Sequence, residues 1–344
     1  MGKPDRSAPM PVKHWSFAGL LLTYGCGARC ASCYVCSGPA AGGDMDVDDA
    51  LAFWEGLCAA SPHGCRIHIG GGEPFRRWEE LIELARRAQR EGLGPLEAVE
   101  TNAFWATDAR TVRDRAAALD AAGMGRLTLS ADPYHQQFVP IERVRRAARV
   151  AAEVLGAGRV RVRWRDWAEA GFDTGPLDAR RRREVFAAYA RRGRDRIAGR
   201  AAAELAPLLD RIPAEALAGA CRQRLLRSRH VHVDGEGIVC AGTCAGVVLG
   251  RVGEAGSVGL LWRRLSEAFA SADRPGEAEV GWDVLRVLVR SGAVGLAARA
   301  AELGYEPAAE GYVGRCHLCW DVRRWLFEKR HFPGQLGPAQ VYRP

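Results

Sequence analysis

Two periods of hydrophobic and polar residues alternate along the first half of this chain. Short apolar runs at 17–24, 66–70, 96–101, 126–130 and 159–164 have the length expected of strands. Between them, apolar positions spaced three and four apart predict helices over 47–60, 76–91, 108–122 and 140–155. The last of these carries Ile141, Val144, Ala148, Ala151 and Leu155 at that spacing. Pro140 suits its first turn and Gly156 its stop, and Thr107 and Gly123 bracket the helix before it in the same way. Repeated strand–helix units predict an α/β fold with a parallel sheet, and the pattern alone leaves both an open sheet and a closed barrel available. Past an arginine-rich helix near 179–193 the pattern changes. Residues 196–220 read as helix or loop rich in Ala and Leu. His230-Val-His-Val-Asp-Gly-Glu-Gly-Ile-Val239 reads as two short strands around a turn, and 257–304 returns to helix. The second half does not repeat the first, and no low-complexity linker separates them, so the two parts are expected to pack together.

Composition narrows the classes. Hydrophobic residues make up 48% of 344, yet no long uncharged apolar run exists, so no membrane span is expected. The start lacks an apolar signal region, and Met1-Gly2 lacks the correctly placed Ser or Thr of a lipidation motif. The expectation is a cytoplasmic protein with reduced thiols. Eleven cysteines, an odd count in a long chain, argue against a disulfide framework. The net charge of +8 is compatible with an acidic substrate or an acidic electron donor. Arg180-Arg-Arg-Arg183 and Arg191-Arg-Gly-Arg194 flank a helical pattern and read as a solvated face. No basic strand with interleaved aromatics is present, so no nucleic-acid partner is expected.

The chemistry lies in the cysteines. Cys26, Cys30 and Cys33 follow the first strand at a C-x3-C-x2-C spacing. Three thiolates on one loop can reach a single metal centre, and on a four-iron cubane they leave one iron open. Zinc is the alternative, with Cys36 as a fourth ligand. Forty residues on, Arg66-Ile-His-Ile-Gly-Gly-Gly-Glu-Pro74 reads as a strand that ends in glycines and an acid. With this second motif the chain resembles the radical S-adenosylmethionine (SAM) superfamily. The resemblance implies a partial (β/α)6 TIM-like barrel, with the chemistry at the C-terminal ends of its strands. It implies that Cys26, Cys30 and Cys33 hold a [4Fe–4S] cluster, and that Gly71, Gly72 and Glu73 receive the ammonium of SAM. Members usually have an aromatic before the third cysteine. Here Ser32 precedes it and Tyr34 follows, so Tyr34 is the candidate beside the adenine.

Other polar residues end the later strands. Asn102 of Glu100-Thr-Asn and Ser130 of Ser-Ala-Asp132 stand where members contact SAM or substrate, and Arg163 is placed to take a carboxylate by a forked contact. Asp132 is also suited to cap its own turn. Tyr134 and His135 are candidates for substrate contact. His68 points either into the barrel or into a satisfied core.

A second set consists of Cys221, Cys240, Cys244, Cys316 and Cys319. The spacing from Cys221 through Gly235 to Cys240, closed by Cys316-His-Leu-Cys319, resembles the SPASM and twitch extensions of that superfamily. This resemblance implies one auxiliary [4Fe–4S] cluster on Cys221, Cys240, Cys316 and Cys319, and hence two clusters in all. Cys244 is left as a replacement ligand, a loose neighbour of the cluster or a hydrogen-atom donor. A zinc ribbon has the same ligand count. Cys58 and Cys65 read as small core residues, and Cys36 lies near the first set. The expected division is a radical SAM core over 1–195 and a twitch-like extension, a β-hairpin plus helices, over 196–344.

The function implied is reductive cleavage of SAM to a 5′-deoxyadenosyl radical, which removes a hydrogen atom from a substrate. Net oxidation of a small molecule or protein residue is the first expectation. The rival enzymatic expectation is epimerisation or crosslinking of a ribosomal peptide, although the barrel pattern starts near residue 16 and leaves no leader-binding domain ahead of it. A non-catalytic iron–sulfur or zinc-binding protein is the rival from another class. The expected partners are a small-molecule or peptide substrate and an acidic electron donor such as flavodoxin or ferredoxin.

Overall fold

A computed structural model describes residues 12–242, 244–270 and 281–344. The Met1-Gly2 start and the middle of the 257–304 helical reading lie outside the described residues. In the first half, β1 (Phe17–Thr23), β2 (Arg66–Gly71), β3 (Leu96–Thr101), β4 (Leu127–Ser130) and β5 (Val160–Arg163) alternate with four long helices. These are α1 (Val47–Ala60), α2 (Trp78–Arg90), α3 (Ala109–Ala121) and α4 (Ile141–Leu155). Local chemistry sets their ends. The Asp46 carboxylate accepts the Asp48 N–H at the start of α1, and Asp108 accepts the Thr111 N–H at the start of α3. Gly156 ends α4 at φ +88°, a backbone that favours glycine.

β6 (His230–Val233) lies parallel to β1 on the side away from β2, and β7 (Ile238–Ala241), β8 (Gly246–Arg251) and β9 (Leu336–Gly337) continue antiparallel. The sheet order is β5-β4-β3-β2-β1-β6-β7-β8-β9. The fold is therefore mixed α/β and mostly parallel, with a partial-barrel core and C-terminal strands and helices, as expected. The sixth parallel strand enters beside β1, not after β5. Among the described residues no pairing joins β5 to β6, so the ring stays open. One sheet continues across residue 195.

Alternation along the strands separates two environments. Ala18, Leu20, Leu22, Ile67, Ile69, Leu127, Leu129, Val231 and Val233 are buried on the helix-covered face. The opposite face presents His68, Glu100, Thr128, Arg161, Arg163, His230 and His232 to a cavity of about 440 Å³. Trp164 turns left-handed at φ 57°, so Arg165 opens a short helix (Arg165–Ala170) and does not extend the cationic face of β5. No helix among the described residues is long and apolar enough to cross a membrane.

Candidate functional site

The first three cysteines lie on the loop that leaves β1, at the C-terminal mouth of the parallel strands. Cys26, Cys30 and Cys33 all line the large cavity, together with Tyr34, Gly71, Gly72, Asn102, Ser130, His135 and Arg163. Burial pushes the Cys26 thiol up to about 12 and raises Cys30 as well. Such sulfurs are thiols unless a cationic centre offsets the charge of the thiolates, which is the condition a metal cluster satisfies. Asn102 directs its amide at Cys26 Sγ, 3.7 Å away.

A side chain absent from the sequence reading holds this loop. Arg200, 2% exposed, donates through its guanidinium to the carbonyls of Cys30 (3.0 Å), Cys36 (2.9 Å) and Ser37 (2.8 Å), and its backbone N–H reaches the Cys33 carbonyl (3.0 Å). The Arg200 fork thus gathers the backbone around the cysteines from 170 residues away. Cys36 is part of this scaffold. It is buried at φ 57°, and its Sγ lies 3.4 Å from the Val341 carbonyl.

The glycine loop serves packing as much as access. Gly71 has φ +117°, and a Cβ there would lie 2.4 Å from the Thr23 carbonyl oxygen. One on Gly72 would lie 2.3 Å from that of Gly25. Glycine is required because the end of β2 passes against the cysteine loop. Glu73 is fully buried behind the cavity wall. Its carboxylate accepts from Phe75 N (3.1 Å), Thr101 Oγ1 (2.8 Å) and Asn102 N (2.8 Å). Thr101 Oγ1 in turn accepts from Ala103 N and Trp105 Nε1, both at 3.0 Å. Burial raises the acid to about 7 against the pull of these three donors. Glu73 therefore clasps the ends of β2 and β3 together, and the loop groups that face the cavity are those of Gly70, Gly71 and Gly72. We expect Glu73→Gln to turn an amide N–H₂ onto either Asn102 N–H or the donors at the other oxygen. That orphans a buried donor and costs about 1–3 kcal/mol, read as a lower midpoint in thermal or urea melts. An unchanged midpoint with weakened SAM binding would instead assign Glu73 to the ligand.

On the next strand end, Asp132 does two things. Its Oδ1 accepts the N–H groups of Tyr134 and His135, both at 3.0 Å, and its Oδ2 takes His135 Nδ1 at 2.7 Å. Burial alone would lower the His135 pKa, but Asp132 and Cys30 outweigh it and hold the imidazole protonated, facing Cys30. Hydrogen bonds to cluster sulfurs are a recognised control on reduction potential. Tyr134 turns away from the cavity. It is fully buried, donates to Asp195 Oδ2 at 2.9 Å and packs edge-on to Phe186. Arg163 faces the cavity, with Glu100 at 2.5 Å.

The late cysteines surround a second cavity of about 240 Å³, lined by Cys221, Cys244, Cys316 and Cys319. Cys316 and Cys319 share a face of the first turn of the helix Arg315–Glu328. Cys221 is set by a kink in the helix Asp283–Ala301. Gly292 there has φ 67°, a Cβ on it would lie 2.0 Å from the Gly219 carbonyl oxygen, and Cys221 N–H bonds the Leu288 carbonyl at 2.9 Å. Cys244 sits in the β7–β8 turn, its N–H on the Ala241 carbonyl at 2.8 Å. Cys240 does not join them. It lies within β7, packs with Ile238 and Val248, and faces a separate small void beside Tyr24 and Asp234. The structure thus places Cys244 where the sequence reading placed Cys240, because strand direction points one inward and the turn carries the other across. Burial raises Cys221 to about 11 and raises Cys319 too. Arg196, Arg224, Arg315 and Arg323 line the same cavity, a positive setting suited to four thiolates. Arg323 also ties its helix to the β7–β8 turn, donating to the carbonyls of Cys319 (3.2 Å) and Ala245 (2.8 Å). Tyr34 and Arg196 line both cavities and so form a shared wall.

No protein-family model and no curated protein matches the sequence. Among solved structures, the chain is similar to BtrN in complex with AdoMet and 2-DOIA, at 16% identity and TM-score 0.45, covering 76% of this chain and 90% of that one. It is also similar to anSMEcpe with bound AdoMet and Cp18Cys peptide, at 13% identity and TM-score 0.43, covering 91% and 97%.

Proposed function

We propose that this protein is a radical SAM enzyme with a second, auxiliary iron–sulfur site. The observation that carries the reading is the convergence of Cys26, Cys30 and Cys33 with the Gly70–Gly72 backbone, Asn102 and Ser130 on one cavity at the strand ends. Three thiols fit a cubane with one open iron, and when bound such a cluster supplies the electron that cleaves SAM reductively. The chain's own residues do the rest. Arg200 shapes the ligand loop, Asn102 and His135 direct N–H groups at its sulfurs, and the glycine backbone, Tyr34, Ser130 and Arg163 bound the space for SAM.

The substrate of this reading is a small polar molecule or a single residue of a protein or peptide. The cavity of about 440 Å³, in the lower part of the range for small-ligand sites, must hold SAM as well and leaves little room for substrate, and Arg126, Arg161 and Arg163 face into it. Cys221, Cys244, Cys316 and Cys319 would hold an auxiliary cluster, which would offer an acceptor for the second electron of a net oxidation. The wall that Tyr34 and Arg196 share supports this, since it sets the two cavities side by side. An acidic one-electron donor protein suits the +8 chain.

The test is anaerobically reconstituted, reduced protein incubated with SAM. Release of 5′-deoxyadenosine and methionine is expected, falling at least about a hundredfold, some 2.7 kcal/mol of barrier, in the Cys26→Ala, Cys30→Ala, Cys33→Ala protein. An iron-loaded wild type that releases neither product sinks the reading.

A further inference from the structure

Three histidines meet deep in the large cavity, away from the cysteine loop. His68 comes from β2, and His230 and His232 come from β6. β1 runs between these strands, and in register Gly19 pairs with both His68 and His232. Gly19 carries no side chain, and the two imidazoles lean over it. A Cβ at that point would lie 2.5 Å from His68 Nε2 and 2.7 Å from His232 Nε2. His68 Nε2 also lies 2.9 Å from His230 Nε2. One ring nitrogen from each of the three falls within 4.8 Å of the others, and among the described residues this is the group of candidate ligands drawn that tight.

We propose that His68, His230 and His232 form a binding site for a divalent transition metal ion of the zinc type, with its open coordination position facing the cavity. Two nitrogens held about 2.0–2.1 Å from one ion stand about 2.9 Å apart at a right angle and about 3.4 Å apart in a tetrahedron. The His68–His230 spacing is already in that range. One outer nitrogen, that of His232, is held as the other ring nitrogen of a metal-bound imidazole usually is. His232 donates Nδ1–H to the Gly242 carbonyl at 2.5 Å, which leaves Nε2 as its lone-pair atom. His68 Nδ1 is buried without a hydrogen-bond partner, and the Glu100 carboxylate stands 3.9 Å from it. Burial lowers all three pKa values, so the rings are neutral and able to ligate. The nearby charge of Arg163 is met by Glu100. Imidazole donors select zinc, copper, iron and nickel over magnesium and calcium, and three histidines with one open position is the pattern of an ion that binds or polarises a ligand. The ion would sit on the floor of the space assigned above to SAM and substrate, where an anionic or chelating group of a substrate completes its coordination.

The probe is zinc itself. Full-length protein, reconstituted anaerobically so that both cysteine sets are filled, is incubated with Zn²⁺, desalted and analysed for metal and by zinc-edge X-ray absorption. About one zinc per chain is expected, with nitrogen and oxygen scattering at about 2.0–2.1 Å and no sulfur at about 2.3 Å. His230→Asn with His232→Asn should lower zinc affinity at least a hundredfold. Gly19→Ala should weaken it with every ligand retained, because the methyl group occupies the cradle. The same zinc is expected in the Cys26→Ala, Cys30→Ala, Cys33→Ala protein, so the site is tested apart from the SAM reading. Wild type that retains no more zinc than the double histidine variant overturns the proposal, and leaves His68 and His230 as a hydrogen-bonded pair. So does bound zinc that shows sulfur ligands, a result read on wild type alone even if a variant fails to fold.

Discussion

Replacing Arg200 with methionine is expected to empty the first cluster site. Methionine approximates the length of arginine and fills its channel without donors. The Ser37 carbonyl then loses its donor, at a cost of about 1–3 kcal/mol for a buried acceptor left unmade, while the carbonyls of Cys30 and Cys36 keep only Cys33 N–H and Gln340 Nε2. The loop has few alternatives to relax into, since Cys36 already adopts φ 57° and is fixed on its other side by Gln340, whose Nε2 donates to the same carbonyl at 2.6 Å. Wild type should bind about eight irons per chain on reconstitution, and the variant about four. SAM-derived products should vanish with the first set. Arg200→Lys should recover part of the iron, because an ammonium satisfies one or two of the three carbonyls but lacks the planar fork. Full iron loading in the methionine variant would show that the loop organises itself.

Cys244→Ala and Cys240→Ala are expected to part company. Cys244 borders the cavity shared by Cys221, Cys316 and Cys319, and Arg196 directs an N–H at its sulfur from 3.5 Å. Its removal should cost the second cluster, roughly four of eight irons, with SAM cleavage retained and substrate turnover lost. Cys240 packs among Ile238 and Val248 within β7. Its truncation should cost about 1–2 kcal/mol as a small cavity and leave the iron count alone. Iron analysis with electron paramagnetic resonance of the reduced proteins separates the two. If Cys240→Ala loses the iron and Cys244→Ala keeps it, the placement of the β7–β8 turn beside the cluster is wrong.

The local code was legible. Gly156 marks a helix end legible in the sequence, the cap of α3 is Asp108, one place after the Thr107 read there, and the two periods placed β1 to β5 and α1 to α4 within a couple of residues. The C-x3-C-x2-C loop brings its own three sulfurs to one cavity because they are neighbours in sequence. The helical C-x2-C pair does the same for Cys316 and Cys319, one turn apart. Wherever the functional atoms lie close along the chain, the sequence by itself determined the site.

The remaining assignments depend on strand order and register, which spacing does not encode. Spacing favours Cys240 over Cys244, and only the turn after β7 leaves Cys240 in the core and sets Cys244 on the cavity of the other late cysteines. Glu73 reads as a ligand-facing acid until β3 arrives beside it and supplies Thr101 and Asn102. Arg200 is one of many arginines, and its role exists because the chain returns beneath a loop far away in sequence. His68 lies 162 residues from His230, and the two meet because β6 inserts beside β1 opposite a glycine. Those contacts follow from burying the apolar strand faces under helices, which fixes register and so decides which polar residues share the other face.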